Sequence, residues 1–273
     1  MLFDKSKTKL IQYPLGNANV SYTVPGNTVT SIEPHAFSDC VFLTSVTIPD
    51  SVTKIQSSAF ENCTSLESVT IPASVTTLGW PVFRGCTSLT SITVDENNQK
   101  FSSDEAGVLF DKWKENLFEY PIGNTRASYT VPETVSTIWN GAFMNCRFLT
   151  SITVDENNQD YSSDEDGVLF NKQKTKLIQY PIGNTRASYT VPETVTVINH
   201  VAFSGCTALT SVTITGKVGH IYPSAFENCT SLESVSVGSS VNSIYKWAFR
   251  GCTSLRIIAF DAEEWRNPTI YED

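Results

Sequence analysis

The 273-residue chain is short of charge: Asp, Glu, Lys and Arg make up 17%, against about 25% in an ordinary globular domain. Apolar residues are also scarce at 40%, where about 45–50% is usual. Ser and Thr fill the gap. Cations are outnumbered 19 to 28, a formal charge of −9. That excludes nucleic acid as a partner, because phosphate binding is driven by clustered cations that release counterions. No apolar run approaches the roughly 20 residues of a membrane span, and no n-region/h-region pair marks a signal peptide. Histidine is rare, with only His35, His200 and His220, and these share no common offset. HExxH, C-x-x-C, the Ser-x-Gly elbow and the P-loop are all missing. No metal, cofactor or catalytic site is therefore expected, and the chain reads as a non-enzyme.

What the sequence does contain is a repeat. The seven cysteines stand at 40, 63, 86, 146, 206, 229 and 252, spaced by 23, 23, 60, 60, 23 and 23. An odd count cannot close an intramolecular disulfide framework. Each cysteine sits in one sentence: a small residue and Phe, two variable residues, Cys, two more, then Leu. SAFENCTSLESV occurs at 58–69 and 224–235, and YPIGNTRASYTVPETV at 120–135 and 180–195. Duplication accounts for identity of that length. Each cysteine lies in an apolar context at the same point of its coil, where a free thiol behaves as a small buried hydrophobe. Stacked coils about 4.8 Å apart also fit a disulfide poorly, so free buried thiols are expected.

β-type stretches end at Val24, Ile48, Ile71, Val94, Val131, Val154, Val191, Ile214, Val237 and Phe260. The 60-residue period is thus a 23-residue coil followed by a 37-residue one. A unit of 20–29 residues with one strand and a helical or 3-10 segment is the leucine-rich-repeat pattern. Such units bury their apolar face only by stacking. The expected fold class is an α/β-type repeat: a solenoid with one long parallel sheet, short strands and short helical or 3-10 turns, over 1–260. Alternation in LTSVTIP sends Leu43, Val46 and Ile48 inward and Ser45 and Thr47 outward. A second short extended segment supplies Val52 and Ile55. Pro49, Pro72, Pro132 and Pro192 follow the first strand, where a missing N–H does least harm.

The long coils carry DENNQ(K/D)(F/Y)SSDE(A/D)GVLF and then a charged spacer. GVLFNKQKTKLIQYP reads as two strands around a polar turn without an Asn-Gly signal. Hairpins projecting from the rod are expected at 107–121 and 167–181, and 2–17 is the second half of the same insert, so the chain begins in mid-repeat. Residues 261–273, DAEEWRNPTIYED, leave the repeat as a polar cap (through Trp265) or a linker.

The consensus (V/I)T(I/V)PxxVTxIxxxAFxxCxxLxSV, as in Val46–Val69, together with GVLFxKxKTKLIQYPxG at 167–183, resembles the BspA-like leucine-rich-repeat family of bacterial and protist surface proteins. The resemblance covers residues 2–260. It implies a right-handed solenoid, exported or displayed on the cell surface, that acts in adhesion and binds a host or microbial surface protein or glycan. It brings no catalytic residues with it. Val82 before Phe83 and Thr215-Gly216 in place of the Pro turn are its modest departures.

Three surfaces are candidates for contact. Between the second strand and the Ala-Phe turn each coil differs, placing Trp80, Trp139, His200, Tyr222, Tyr245 and Trp247 along one edge. Amphipathic aromatics are the side chains most enriched in binding hot spots. Against this, the rings would equally fill gaps between coils. The hairpin tip Lys112, Trp113 and Lys114 is the second candidate, although lysines on exposed strand pairs also protect against edge aggregation. The third is the pair of outward Ser/Thr rows, for which strand propensity and hydroxyl pairing give a purely structural account. The acidic loops at 95–98, 104–105, 155–158 and 164–166 lack the order of a calcium loop. The chain is expected to act as a monomeric binding module, with a plain spacer as the rival reading and a carbohydrate-active enzyme ranked last.

Overall fold

A computed structural model describes residues 1–260 and 269–270. The chain separates into two compact units, 1–125 and 126–273. Each unit is a β-solenoid whose successive coils add one strand to each of two parallel stacks. In the first unit, Ser21–Thr23, Ser45–Thr47, Ser68–Ile71 and Ser91–Val94 form one sheet. Register puts Ser68 on Ser91, Val69 on Ile92 and Thr70 on Thr93. Exposed and buried residues alternate along Ser68–Ile71, because successive side chains of a strand point to opposite faces. Ser31–Ile32, Lys54–Ile55 and Thr77–Leu78 make the second stack, joined by Lys9–Gln12.

The second unit repeats the plan. Its first strands are Ser128–Val131 paired with Ser151–Val154, and then Ser188–Val191, Ser211–Ile214, Ser234–Val237 and Ile257–Phe260. Its second stack runs Lys176–Gln179, Val197–Ile198, His220–Ile221, Ser243–Ile244 and Thr269–Ile270. The expected cap through Trp265 lies outside the described residues.

Between the stacks runs a column of phenylalanines. Phe37, Phe60 and Phe83 stack with centroids 4.9 and 5.6 Å apart. Tyr180, Phe203, Phe226 and Phe249 do the same at 5.2, 4.7 and 5.2 Å. Each pair adds about 0.5–1.5 kcal/mol beyond area burial. All seven cysteines are unbridged, and only Cys252 is not fully buried. They do more than fill space. Cys63 donates its thiol to Phe37 O at 3.0 Å, Cys86 to Phe60 O at 3.0 Å and Cys229 to Phe203 O at 2.9 Å. Each thus ties its coil to the one before. Burial pushes the Cys40 thiol up to about 12 and raises Cys206 as well.

Three expectations are corrected. First, among the described residues there is no helix or 3-10 turn, so the class is all-β rather than α/β. The Ala-Phe segment does make i→i+3 bonds, such as Ala36 N to Glu33 O and Cys40 N to Phe37 O. But His35 and Asp39 sit at φ 59°, and the same two places are left-handed in later coils, as at Ser58 and Asn62. A left-handed residue at either end stops a right-handed helix from nucleating.

Second, the first strands do not form one continuous sheet. The GVL segment of the insert runs beside the strand before it, with Ile92 N donating to Gly107 O at 3.0 Å and Ile152 N to Gly167 O at 2.9 Å. Gly107 has φ 72°, and a Cβ there would meet Ser91 Cα at 2.7 Å, so glycine is required for this approach.

Third, the hairpins are built into the sheets instead of projecting. Leu109–Asp111 pairs antiparallel with Asn116–Glu119 and with Phe101–Ser103, and Leu109, Phe110 and Leu117 are buried. In the second unit the returning strand Lys176–Gln179 pairs parallel with Val197–Ile198. Only the tips stand clear, because the inward residues of both hairpin strands are apolar. The turn has a signal other than Asn-Gly. Asp111 Oδ1 accepts from Glu115 N and Asn116 N at 2.8 and 2.9 Å, and Lys114 takes φ 58°. Asn171 and Lys174 do the same in the copy. This is the longer hairpin loop with a left-handed residue before the returning strand.

Candidate functional site

The long-coil motif DENN is structural. Asn98 is fully buried, and its amide donates to Pro72 O and Val75 O at 2.8 and 3.0 Å. Its oxygen accepts from Lys100 N and Phe101 N at 2.8 and 2.9 Å. Asn158 repeats all four bonds. Asp104 and Asp164 cap the turns before Gly107 and Gly167, accepting for instance from Val108 N at 2.9 Å and Val168 N at 2.8 Å. Among the described residues no three His, Cys, Asp or Glu side chains come together as metal ligands.

The outward hydroxyl rows keep register within each sheet, with Thr130 and Thr153 hydroxyls 2.8 Å apart. Of the three residues expected at the first hairpin tip, only Trp113 is exposed, at 69%. Lys112 donates to Glu96 O at 3.1 Å, and Lys114 has partners of its own.

The variable edge is the richer surface, and most of its rings belong to the second unit. Tyr222 and Tyr245 follow the second strands of adjacent coils, one place after the paired Ile221 and Ile244. They meet edge to face at 5.2 Å, and His220 lies 6.3 Å from both. Both tyrosines are half-buried, so they pack on each other while leaving a rim open. Trp247 is 53% exposed, with Lys246 Nζ 4.9 Å and Arg250 Cζ 5.8 Å from its ring centre. Arg250 in turn pairs with Glu227 at 3.7 Å.

Trp139, at 36% exposure, and His200 line one crevice with Ile178, Gln179 and Asn199. That crevice encloses about 10 Å³, room for a single water at most. The edge is therefore a surface and not a pocket. Partial desolvation holds the His200 imidazole below its ordinary range, against an opposing pull from Glu227. Trp80 is half-buried and belongs to the first unit.

A larger depression of about 260 Å³ lies where Thr215-Gly216 and Gly238-Ser239 replace the Pro turn. Its lining is aliphatic or hydroxyl-bearing, with Thr215, Ser236 and Ser239 as the polar side chains and no carboxylate, imidazole, thiol or amine among them.

Residues 11–105, 112–187 and 183–264 match the model of the BspA type leucine rich repeat region, in six copies. The chain belongs to the BspA-type leucine-rich-repeat family. A leucine rich cell surface protein of Faecalibacterium prausnitzii shares its fold at TM-score 0.64 and 28% identity, over 89% of this chain and 60% of that one. A leucine-rich repeat protein of Eubacterium ventriosum gives TM-score 0.59 and 25% identity, over 88% of this chain and 66% of that one. The pneumococcal vaccine antigen PcpA, at 24% identity and TM-score 0.59 over 90% of this chain and 57% of its own, shares the fold. This BspA-type chain therefore spans less than two thirds of each of these structures. No curated protein matches it. Among its described residues no helix is long and apolar enough to cross a membrane.

Reading the sequence missed two contributors to the BspA-type edge. Arg250 reaches back over Trp247 from three residues beyond it, and the hairpin strand supplies Ile178 and Gln179 beside Trp139. The second had a signal in the shared YP phrase that ends the insert, which restores the coil register.

Proposed function

We propose that the second unit is a non-enzymatic binding module of an exported or cell-surface protein, contacting a protein or glycan through the edge that carries Trp139, His200, Tyr222, Tyr245 and Trp247. One observation carries this reading. The coils hold their Phe, Cys and strand residues nearly constant, yet vary at this edge, where rings remain exposed on a scaffold that does not need them for its core. Rigid aromatic side chains bring large contact area at low entropic cost, and Trp, Tyr and Arg dominate binding hot spots. Display on a rigid repeat adds contacts at coil spacing. Membership of the BspA type and similarity to a cell surface protein support the location and the adhesive role. The module acts as a monomer.

The test is a screen of the purified chain against immobilised matrix proteins and glycans, with Trp139→Ala and Trp247→Ala beside it. Each substitution is expected to weaken binding by about 1–3 kcal/mol without changing the melting curve. Binding that neither substitution alters would favour the spacer reading, in which the rings only fill the edge.

A further inference from the structure

In four coils the left-handed residue after the second strand donates its backbone N–H to the following coil. His35 reaches Ser57 O, Ser58 reaches Pro81 O, Val201 reaches Pro223 O and Ser224 reaches Lys246 O. Gly141, with φ 79°, holds this place in its own coil. The coil after it is a long one, and among the described residues the Gly141 N–H has no hydrogen-bond partner. Asn140 before it is exposed, and its carboxamide is likewise unengaged. This is the one Asn-Gly pair in the chain.

We propose that Asn140–Gly141 is a modification site, where the chain deamidates spontaneously. The Gly141 backbone nitrogen, losing its proton to solvent base, attacks Asn140 Cγ. A C–N bond forms to close a five-membered succinimide, the carboxamide C–N bond breaks, and ammonia leaves with the proton returned. Water then opens the ring at either carbonyl, giving aspartate or isoaspartate. No oxidant or reductant is involved. The reaction needs a free, unbonded amide nitrogen, a neighbour without a side chain and a carboxamide free to turn, and all three coincide here.

The related pairs are guarded. At Asp166–Gly167 the glycine N–H donates to Asp164 O at 3.1 Å, and the Asp166 carboxylate pairs with Arg186. At Asn242–Ser243 the serine N–H donates to Gly219 O at 3.1 Å, and the Asn242 oxygen accepts from the Ser243 hydroxyl at 2.9 Å. Each event at Asn140 takes the formal charge from −9 to −10 (−9 − 1). It sets a carboxylate beside Trp139 and His200, on the edge described above, and this chemistry holds whether or not that edge binds a ligand.

The test is to incubate the folded full chain in mildly alkaline buffer at body temperature, then follow it by ion exchange and by peptide mass spectrometry with an isoaspartyl-specific methyltransferase. A single acidic step is expected, with the mass gain of OH over NH2 confined to the peptide holding Asn140 and with isoaspartate in it. The step should vanish in Asn140→Gln, a substitution on an exposed side chain that leaves the fold intact. An unchanged folded chain, alongside a synthetic peptide of the same sequence that deamidates, would overturn the proposal. So would equal modification at Asn242.

Discussion

Asn98 and Asn158 each satisfy two backbone donors and two backbone carbonyls at the place where a long coil leaves the standard path. Removing such a group strands several polar atoms, each costing about 1–3 kcal/mol when buried. Asn158→Ala is therefore expected to lower stability by about 3 kcal/mol or more, measured by urea titration, while Asn157→Ala at the exposed neighbour changes little. Glu119 makes a second case. It is buried, its Oε2 has no partner, and burial pushes its carboxyl up to about 8 against an opposing Phe83 amide. The other two hairpins carry Gln12 and Gln179 here, and Gln179 donates to Tyr180 O and Ala202 O at 2.9 and 3.2 Å. The unfolded chain releases the Glu119 proton near 4.5, whereas the folded chain holds it to about 8. Stability from this group is full below 4.5 and is lost as the pH rises through about 8, by at most about 5 kcal/mol. Glu119→Gln should flatten that decline in a series of melts across pH; an unchanged decline would remove Glu119 as its source.

At the scale of the element, the turn before each cysteine is the controlling piece. The residue there is Asp39, Asn62, Gly85, Asn145, Gly205, Asn228 or Gly251, and every one has positive φ. These are the residue types that tolerate the left-handed region. Gly85 has a further constraint, because a Cβ would lie 2.2 Å from Asn62 Oδ1 in the coil below. Gly85→Ala is expected to cost about 1–2 kcal/mol from conformation alone, and more from the collision. Adding Asn62→Gly should recover the collision part, so a double-mutant cycle should show coupling of about 0.5 kcal/mol or more. Additive effects would count against the contact.

This turn was written in the sequence as D-C, N-C and G-C, yet composition and period alone do not reveal it, because nothing apolar marks a left-handed residue. The strands were legible for the opposite reason. Alternation of Val and Ile with Ser and Thr has a period of two, and strands end at Ile71, Val94, Val131, Val154 and Val191 as that pattern places them. A helical turn was expected because the family pattern includes one, and the left-handed pair around Ala-Phe removes it. The insert's partial fusion with both stacks was illegible, since it depends on Gly107 and Gly167 approaching the strand before them.

Over the whole molecule, the low charge and low apolar content follow from repetition, since each coil is thin and keeps a Ser/Thr face in water. Neither unit needs an aromatic edge to stay folded, because the Phe column, the thiol bonds and the buried asparagines already tie coil to coil. Of the edge, the sequence disclosed which residues vary but not which stay open. The exposed Trp139 and Trp247 were indistinguishable from the half-buried Trp80, because exposure depends on what the next coil places above each ring. The most direct test of the account is a titration of any protein or glycan found to bind, followed by tryptophan fluorescence. Binding through this edge predicts a saturable change in emission that is lost, along with most of the affinity, in the Trp139→Ala/Trp247→Ala double variant at unchanged melting temperature. Undiminished affinity in that variant would contradict it and leave the edge as mere packing.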